Sequence, residues 1–392
     1  MTSETGGSAP QQAAGPSIGI VGRLVGASDS WSGIPSGLAA GLRSVGYDPL
    51  FVSAEPSPRV DQLAQSWLRA TRRFDASWAQ TPEMMLLRSL VVRARIAANP
   101  TRRSTRHWIQ MGSEFGHPVD NFVTLEDMTV ATAVGLDEYV RLRPPVARAW
   151  IRRQKGIYER ARACCVASHW AAESLLQYGV DRARIRVVGF GCNIKAEVIE
   201  RDWSEPRFLF IGLDWKRKNG DTVVRAFRRL RDEVPQARLD LVGNHPDVDS
   251  PGVTCHGTLS LDQPAERSRF DDLLSRATCL VLPSTYEPFG IVYAEAGWAG
   301  VPSIGTRVGG APDAIGDGGI VVDPYSPEQI FKAMRVVSDG DMARALGVRA
   351  RSHSQLLSWE TVAGRVAGAL GLVPGDSIPD LPRGRPLDAD SL

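Results

Sequence analysis

The stretch STYEPFGIVYAEAGWAGVPSIGT, residues 284–306, decides how this chain folds. It follows the apolar run CLVLPS at 279–284, is punctuated at Gly290, Gly300 and Pro302, and ends in a second apolar run, VPSIGT. Between the punctuation marks IVYAEAGWA suits a helix starting close to Gly290. The turn TYEPFG therefore lies at the carboxyl end of a buried strand and just before a helix amino terminus. Ligands of open α/β sheets bind at that place, and the free amides and helix dipole there favour a phosphate. Gly290 lets backbone approach such an anion closely.

Two glutamates flank the turn. Glu295 stands four residues beyond Ile291, on the same helical face, and its carboxylate suits the vicinal hydroxyls of a ribose attached to the phosphate. Glu287, ahead of the helix, suits the hydroxyls of a sugar beyond the phosphates, or positive charge developing on its ring. Taken alone, Glu287 reads equally as a helix cap or a solvent-facing residue, and Glu295 as an exposed helical position. Paired carboxylates also serve as acid and base in glycoside hydrolysis. That role fits poorly here, because one of the pair sits where a phosphate belongs.

Outward from this unit, short Val/Ile/Leu-rich runs alternate with longer helical segments. The first series is SIGIVG (17–22), PLFVSA (49–54), HWIQMG (107–112), NFVTL (121–125), ACCVAS (163–168) and IRVVGF (185–190). The second is RFLFIG (207–212), ARLDLVG (237–243), CLVLPS, VPSIGT and GIVVD (319–323). Strands buried on both faces look like this, and their alternation with helices gives an α/β fold with parallel, doubly wound sheets. A chain of 392 residues exceeds what one core usually supports, so two domains are expected. The expected division is a disordered lead at 1–16, a front domain at 17–195, a linker at 196–206, a back domain at 207–359, an amphipathic helix at 360–373 crossing back to the front domain, and a loose tail at 374–392.

A second strand-turn-helix, FIGLDWKRKNGDTVVRAF (210–227), packs Lys216, Arg217 and Lys218 into its turn. Facing the first turn, these cations would neutralise a leaving diphosphate without a metal. Asp-X-Asp pairs occur at Asp247–Asp249 and Asp388–Asp390, but in a polar loop and in the tail, so no metal is expected. None of the six histidines has ligand spacing. The five cysteines form no Cys-X-X-Cys pair and read as free thiols of a reducing cytoplasm.

The formal charge of +2 hides an asymmetry, with 24 Lys/Arg against 16 Asp/Glu in residues 1–195 and 22 against 28 in the remainder. Nucleic acid is not an expected partner. The arginine-rich stretches 88–106 and 141–162 read as solvated faces, with weak peripheral attraction to anionic lipid as the alternative. No uncharged apolar run approaches a membrane span, and MTSETGGSAPQQAAGP lacks the basic start of a signal peptide.

At EPFGIVYAEAGWAGVPSIGT, VGGAPDAI, GIVVDPYSPE, FIGLDWKRKNG and VASHWAAESLLQYGVDRARIRVVGFG, the chain resembles the retaining glycosyltransferases of family four, over about residues 17–372. The resemblance implies the GT-B architecture of two facing Rossmann-like domains with a cleft between them. It implies that Glu295 binds ribose, Glu287 the transferred sugar, and the backbone of Phe289, Gly290, Ile291 and Val292 the phosphates or sugar hydroxyls. Lys218 matches the family's diphosphate lysine, with Arg217 beside it. In the front domain the glycines of VGRLVGASDSWSGIPSGLAAGL, Gly33 among them, imply a loop reaching into the cleft, and Asp127 resembles an acidic residue found near the cleft in some relatives. Unaided, Asp127 reads equally as a helix N-cap.

Two positions depart from the family pattern. Leu213 stands where many members carry arginine, and Asn219 where glycine is usual. The implied function is metal-independent transfer of a sugar from a nucleotide-diphosphate sugar to a hydroxyl acceptor, with retention. The alternatives are another GT-B enzyme, such as an epimerase or phosphorylase, and a catalytically silent nucleotide-sugar-binding partner of another transferase.

Overall fold

A computed structural model describes residues 15–23, 25, 30–71, 78–136, 142–195, 200–373 and 378–392. Residues 1–14 of the lead expected at 1–16, and 196–199 of the linker, lie outside them.

The front sheet contains β1 (Ser17–Gly22), β2 (Asp48–Ser53), β3 (His107–Met111), β4 (Phe122–Glu126), β5 (Ala163–Val166) and β6 (Ile185–Val187). Their order is β2-β1-β3-β4-β5-β6, and every pairing is parallel. The back sheet holds β7 (Arg207–Gly212), β8 (Arg238–Gly243), β9 (Val253–Gly257), β10 (Cys279–Leu282), β11 (Ser303–Thr306), β12 (Gly319–Val322) and β13 (Leu387–Asp388). These run β13-β12-β11-β10-β7-β8-β9, again all parallel. Strand order reverses between β1 and β3 and between β7 and β10, which opens a crevice at each sheet's carboxyl edge.

Sequence dictates this arrangement through burial. All four residues of β10, β11 and β12 are buried, as helices on both faces require. One apolar core runs through both domains, and Trp359 is part of the seam. A Cβ on Gly37 or Gly41 would lie 2.1 or 2.2 Å from Trp359, and one on Gly191 2.4 Å. Only glycine therefore lets the Trp359–Ala369 helix lie this close to the Ile34–Ser44 helix of the front domain.

Several expectations are corrected. β9 escaped sequence reading because VTCHG is a half-exposed edge strand without a continuous apolar run. The tail is not loose over residues 378–392. Leu381 is buried and donates its N–H to Val187 O at 2.7 Å, Asp380 takes Arg186 Nε at 2.6 Å, and Leu387 and Asp388 pair with β12. Its polar composition concealed the residues that dock.

Three arginines of the stretch 88–106 are not simply solvated, whereas in 141–162 Arg143, Arg148, Arg152, Arg160 and Arg162 are exposed, as expected. Arg88 is 1% exposed with its guanidinium on Ala79 O, while Arg95 and Arg102 donate to Ser53 O and Phe51 O at 2.5 and 3.0 Å. Arg95 and Arg102 fasten helices to β2. All five cysteines are free, four of them buried, and burial raises the Cys164 thiol to about 12. Among the described residues no helix is long and apolar enough to cross a membrane.

Candidate active site at the interdomain cleft

The turn after β7 and the turn after β10 meet. Lys218 Nζ bonds Glu287 Oε2, Arg217 Nη1 lies 3.5 Å from the same oxygen and 3.3 Å from Tyr286 O, and Ser284 Oγ donates to Glu287 Oε2 at 3.2 Å. Backbone fixes the carboxylate's position, because Glu287 N donates to Val308 O at 3.1 Å and Gly310 N donates to Glu287 O at 2.8 Å. Glu287 is thus neither a helix cap nor solvent-facing; it is 7% exposed.

Burial works against the Glu287 charge, yet Lys218 and Arg217 outweigh it and hold the carboxyl below its usual range. Burial is the larger influence on Lys218 and lowers its affinity for a proton despite Glu287. Arg217 Nε also lies 3.6 Å from Asp214 Oδ2, so the two cations of this mouth are held between two carboxylates, the buried Glu287 and the exposed Asp214. The Ile291–Trp298 helix begins beside it, and its cap, Gly290, has φ 83°. A Cβ there would meet the Tyr293 ring at 2.5 Å and Glu287 Cγ at 2.8 Å, so glycine is required twice over.

Asn219 also has a positive φ, 64°, at the cap of the Gly220–Glu233 helix. Asparagine tolerates this conformation where most residues do not. It uses its side chain as well: Nδ2 donates to Pro283 O at 3.2 Å and Pro324 O at 2.6 Å, joining the turns after β7, β10 and β12. The departure from glycine therefore adds anchorage.

Next to this cluster lies a cavity of about 650 Å³ between the domains, lined in part by Gly33, Gly212, Ile291, Val292 and Glu295. It adjoins the cationic turn at Gly212, where a Cβ would lie 2.9 Å from Lys218 Cγ. Glu295 is 8% exposed, against the reading of an exposed helical position. Burial raises its carboxyl to about 7, opposed by the backbone N–H groups of Asn193 and Ile194 that face it.

Gly33, with φ 74°, begins the Ile34–Ser44 helix and reaches the cavity from the front domain. Asn193 holds that loop, donating to Ser32 O at 2.7 Å and accepting from Trp359 Nε1 at 2.9 Å. The Phe289 side chain leaves the site and packs edge-on against Phe190, with centroids 5.5 Å apart.

Asp127 follows β4, half-buried, and does not line the cavity. It is not an N-cap either, since Thr129 caps the Val130–Gly135 helix. Its neighbour Glu126 was not anticipated. That carboxyl is wholly buried, accepts from Tyr158 Oη at 2.6 Å and Gln154 Nε2 at 2.9 Å, and is raised by burial to about 8. No sequence signal separates these adjacent acids; only the Pro144–Arg160 helix, which supplies Gln154 and Tyr158, does. Asn193 was likewise missed, because an isolated asparagine in a polar junction carries no pattern. Asp388 and Asp390 both engage Arg307, at 2.9 and 2.7 Å.

Residues 194–353 match the family described as "Glycosyl transferases group 1". Among curated proteins, the chain is 28% identical over 227 residues to a D-inositol 3-phosphate glycosyltransferase of Thermobifida fusca, covering 50% of this chain and 52% of that one. It is 35% identical over 178 residues to the protein of the same description from Streptomyces griseus, covering 41% and 37%. The chain thus spans about half the length of the curated relatives it matches.

Solved structures resemble it over most of its length. Sucrose-phosphate synthase from Thermosynechococcus elongatus superposes with a TM-score of 0.60 at 20% identity, covering 89% of this chain and 96% of its own. Anabaena HepE, solved in complex with UDP and glucose, gives 0.59 at 13% identity, covering 91% and 100%. Two parallel Rossmann-like sheets facing across a cleft, with these neighbours, are the GT-B architecture, within which residues 194–353 are similar to the group 1 glycosyl transferases.

Proposed function

We propose that the chain is a retaining glycosyltransferase that moves a hexosyl or related unit from a nucleotide-diphosphate sugar to a hydroxyl acceptor without a metal ion. One observation carries this reading: Lys218 and Arg217 converge on Glu287 at the start of the Ile291 helix, beside a cavity that Glu295 lines. The description shared by the curated relatives supports it.

In this reading Glu295 accepts from the ribose hydroxyls. The amides opening the Ile291 helix, with Lys218 and Arg217, hold the diphosphate, so the charge that Glu287 balances is shared with the ligand. As the bond between the anomeric carbon and the diphosphate oxygen breaks, the cations stabilise the leaving oxygen and Glu287 faces the electron-poor sugar ring. The acceptor oxygen bonds to the anomeric carbon from the same side, and its proton passes to the leaving diphosphate. Preorganised charge is the main contribution of the protein.

The test is acceptor-dependent release of free nucleotide, with the product anomer assigned by NMR and a chelator control. Lys218→Ala is expected to lower turnover by about 10²–10³-fold, as loss of one transition-state donor commonly does. An inverted anomer, or turnover lost to the chelator, would sink this mechanism.

A silent nucleotide-sugar-binding partner is the second reading. It is favoured by Leu213, an exposed leucine on the cavity wall where many relatives place an arginine. Binding without turnover across a wide acceptor panel would select it.

A further inference from the structure

The cavity between the domains is mostly apolar, and among the described residues its ionisable lining is Glu295 and Asp262. Among the described residues no lysine, arginine or histidine lines it. The two acids have different surroundings. Glu295 is buried and faced by the N–H groups of Asn193 and Ile194. Asp262 lies in the turn between β9 and the Pro264–Arg276 helix, and its side chain has no hydrogen-bond or ion-pair partner among the described residues. A ligand filling this cavity meets a free carboxylate.

Position along the sheet assigns what it meets. The lining runs across neighbouring strand ends, from Gly212 at β7, through Gly243 at β8, to Thr258, Leu261 and Asp262 after β9. Adjacent strands lie about 4.8 Å apart, so β9, whose carboxyl end leads to Asp262, stands two strand positions from β7 and the Gly212 turn. If the diphosphate lies at Gly212 and the ribose at Glu295, the base occupies the β8–β9 end, among Val242, Leu259 and Leu261.

A carboxylate only accepts hydrogen bonds, through two oxygens side by side. It matches a base edge with two adjacent donors. Guanine has that edge in its ring N1–H and its exocyclic amino group. Uracil and thymine offer one N–H between two carbonyls, which repel the carboxylate. Adenine sets its amino group beside a ring acceptor.

The geometry points to guanine: Asp262 is the specificity-determining residue of the donor site, accepting from the N1–H and amino N–H, and the donor is a guanosine-diphosphate sugar. This inference rests on the donor-site reading above.

Calorimetric titration of the purified chain with GDP, UDP, ADP and dTDP, repeated on Asp262→Asn and Glu295→Ala, tests both readings separately. Expected are tightest binding of GDP, a loss of about tenfold to a hundredfold for GDP in Asp262→Asn because a charged acceptor pair is removed, and little change for UDP. Tighter binding of UDP, ADP or dTDP that weakens in Glu295→Ala would overturn the guanine assignment and leave the donor site standing. GDP binding that ranks first but is unchanged in Asp262→Asn would overturn the role of Asp262. No binding of any nucleotide would overturn the donor site, and this inference with it.

Discussion

At the scale of single residues, the two raised carboxyls have opposite uses. Glu126 is held by Tyr158 and Gln154 in a wholly buried network, whereas Glu295 faces a cavity. An unfolded glutamate releases its proton near ~4.3, while folded Glu126 keeps it to about 8 and Glu295 to about 7. The native state therefore binds more protons between these values. The stability contributed is present in full below the unfolded value and is lost as pH rises through 7 to 8. The melting temperature of the wild type is expected to fall between pH 6 and 8.5, and Glu126→Gln, which keeps both hydrogen bonds, should flatten the slope. An unchanged slope in a pH series of thermal melts would mean that Glu126 is already ionised in the folded protein. Glu287→Gln is expected to leave Lys218 without its anion and to destabilise by about 3–5 kcal/mol if that cation stays charged. Urea unfolding with and without Lys218→Met measures the coupling.

At the scale of elements, the strands were legible because a helix-covered parallel sheet demands unbroken apolar runs, as in β10 and β12. The loop bearing Glu287 and Glu295 was legible because strand, glycine and helix fall in one short stretch. What stayed hidden depends on partners distant in sequence: β9 and β13 at sheet edges, Glu126 under another helix, and Asn193 between the domains. Asn219 shows why a departure from a family pattern needs a structure, since its backbone obeys the glycine rule while its amide adds two bonds. Asn219→Ala must adopt the same positive φ and loses both bonds, so a cost of about 2–3 kcal/mol is expected. Asn219→Gly removes the bonds without the backbone strain and should cost less. Equal costs in denaturant titrations would show that the bonds alone matter.

At the scale of the whole molecule, the two domains are joined by more than the junction near residue 200. Asp313 of the back domain accepts from the N–H of His169, at the start of a front-domain helix, at 2.6 Å, and from Gly384 N at 3.0 Å. Residues 378–392 run from β6 to β12, with Arg383 holding Glu173 at 2.6 Å on the way. Leu381→Ala should cost about 2–5 kcal/mol, the usual range for a buried leucine, whereas a truly loose tail would register almost nothing. Asn193 sits where these connections meet the ligand cavity: its side chain pins Ser32 and Trp359, and its backbone N–H faces Glu295. In the proposed donor site, a ribose bound to the Glu295 carboxylate competes with the Asn193 N–H for the same acceptor. Occupancy and the Asn193 contacts then become linked variables, and reciprocity holds: whatever factor breaking those contacts imposes on nucleotide affinity, bound nucleotide imposes on the equilibrium for breaking them.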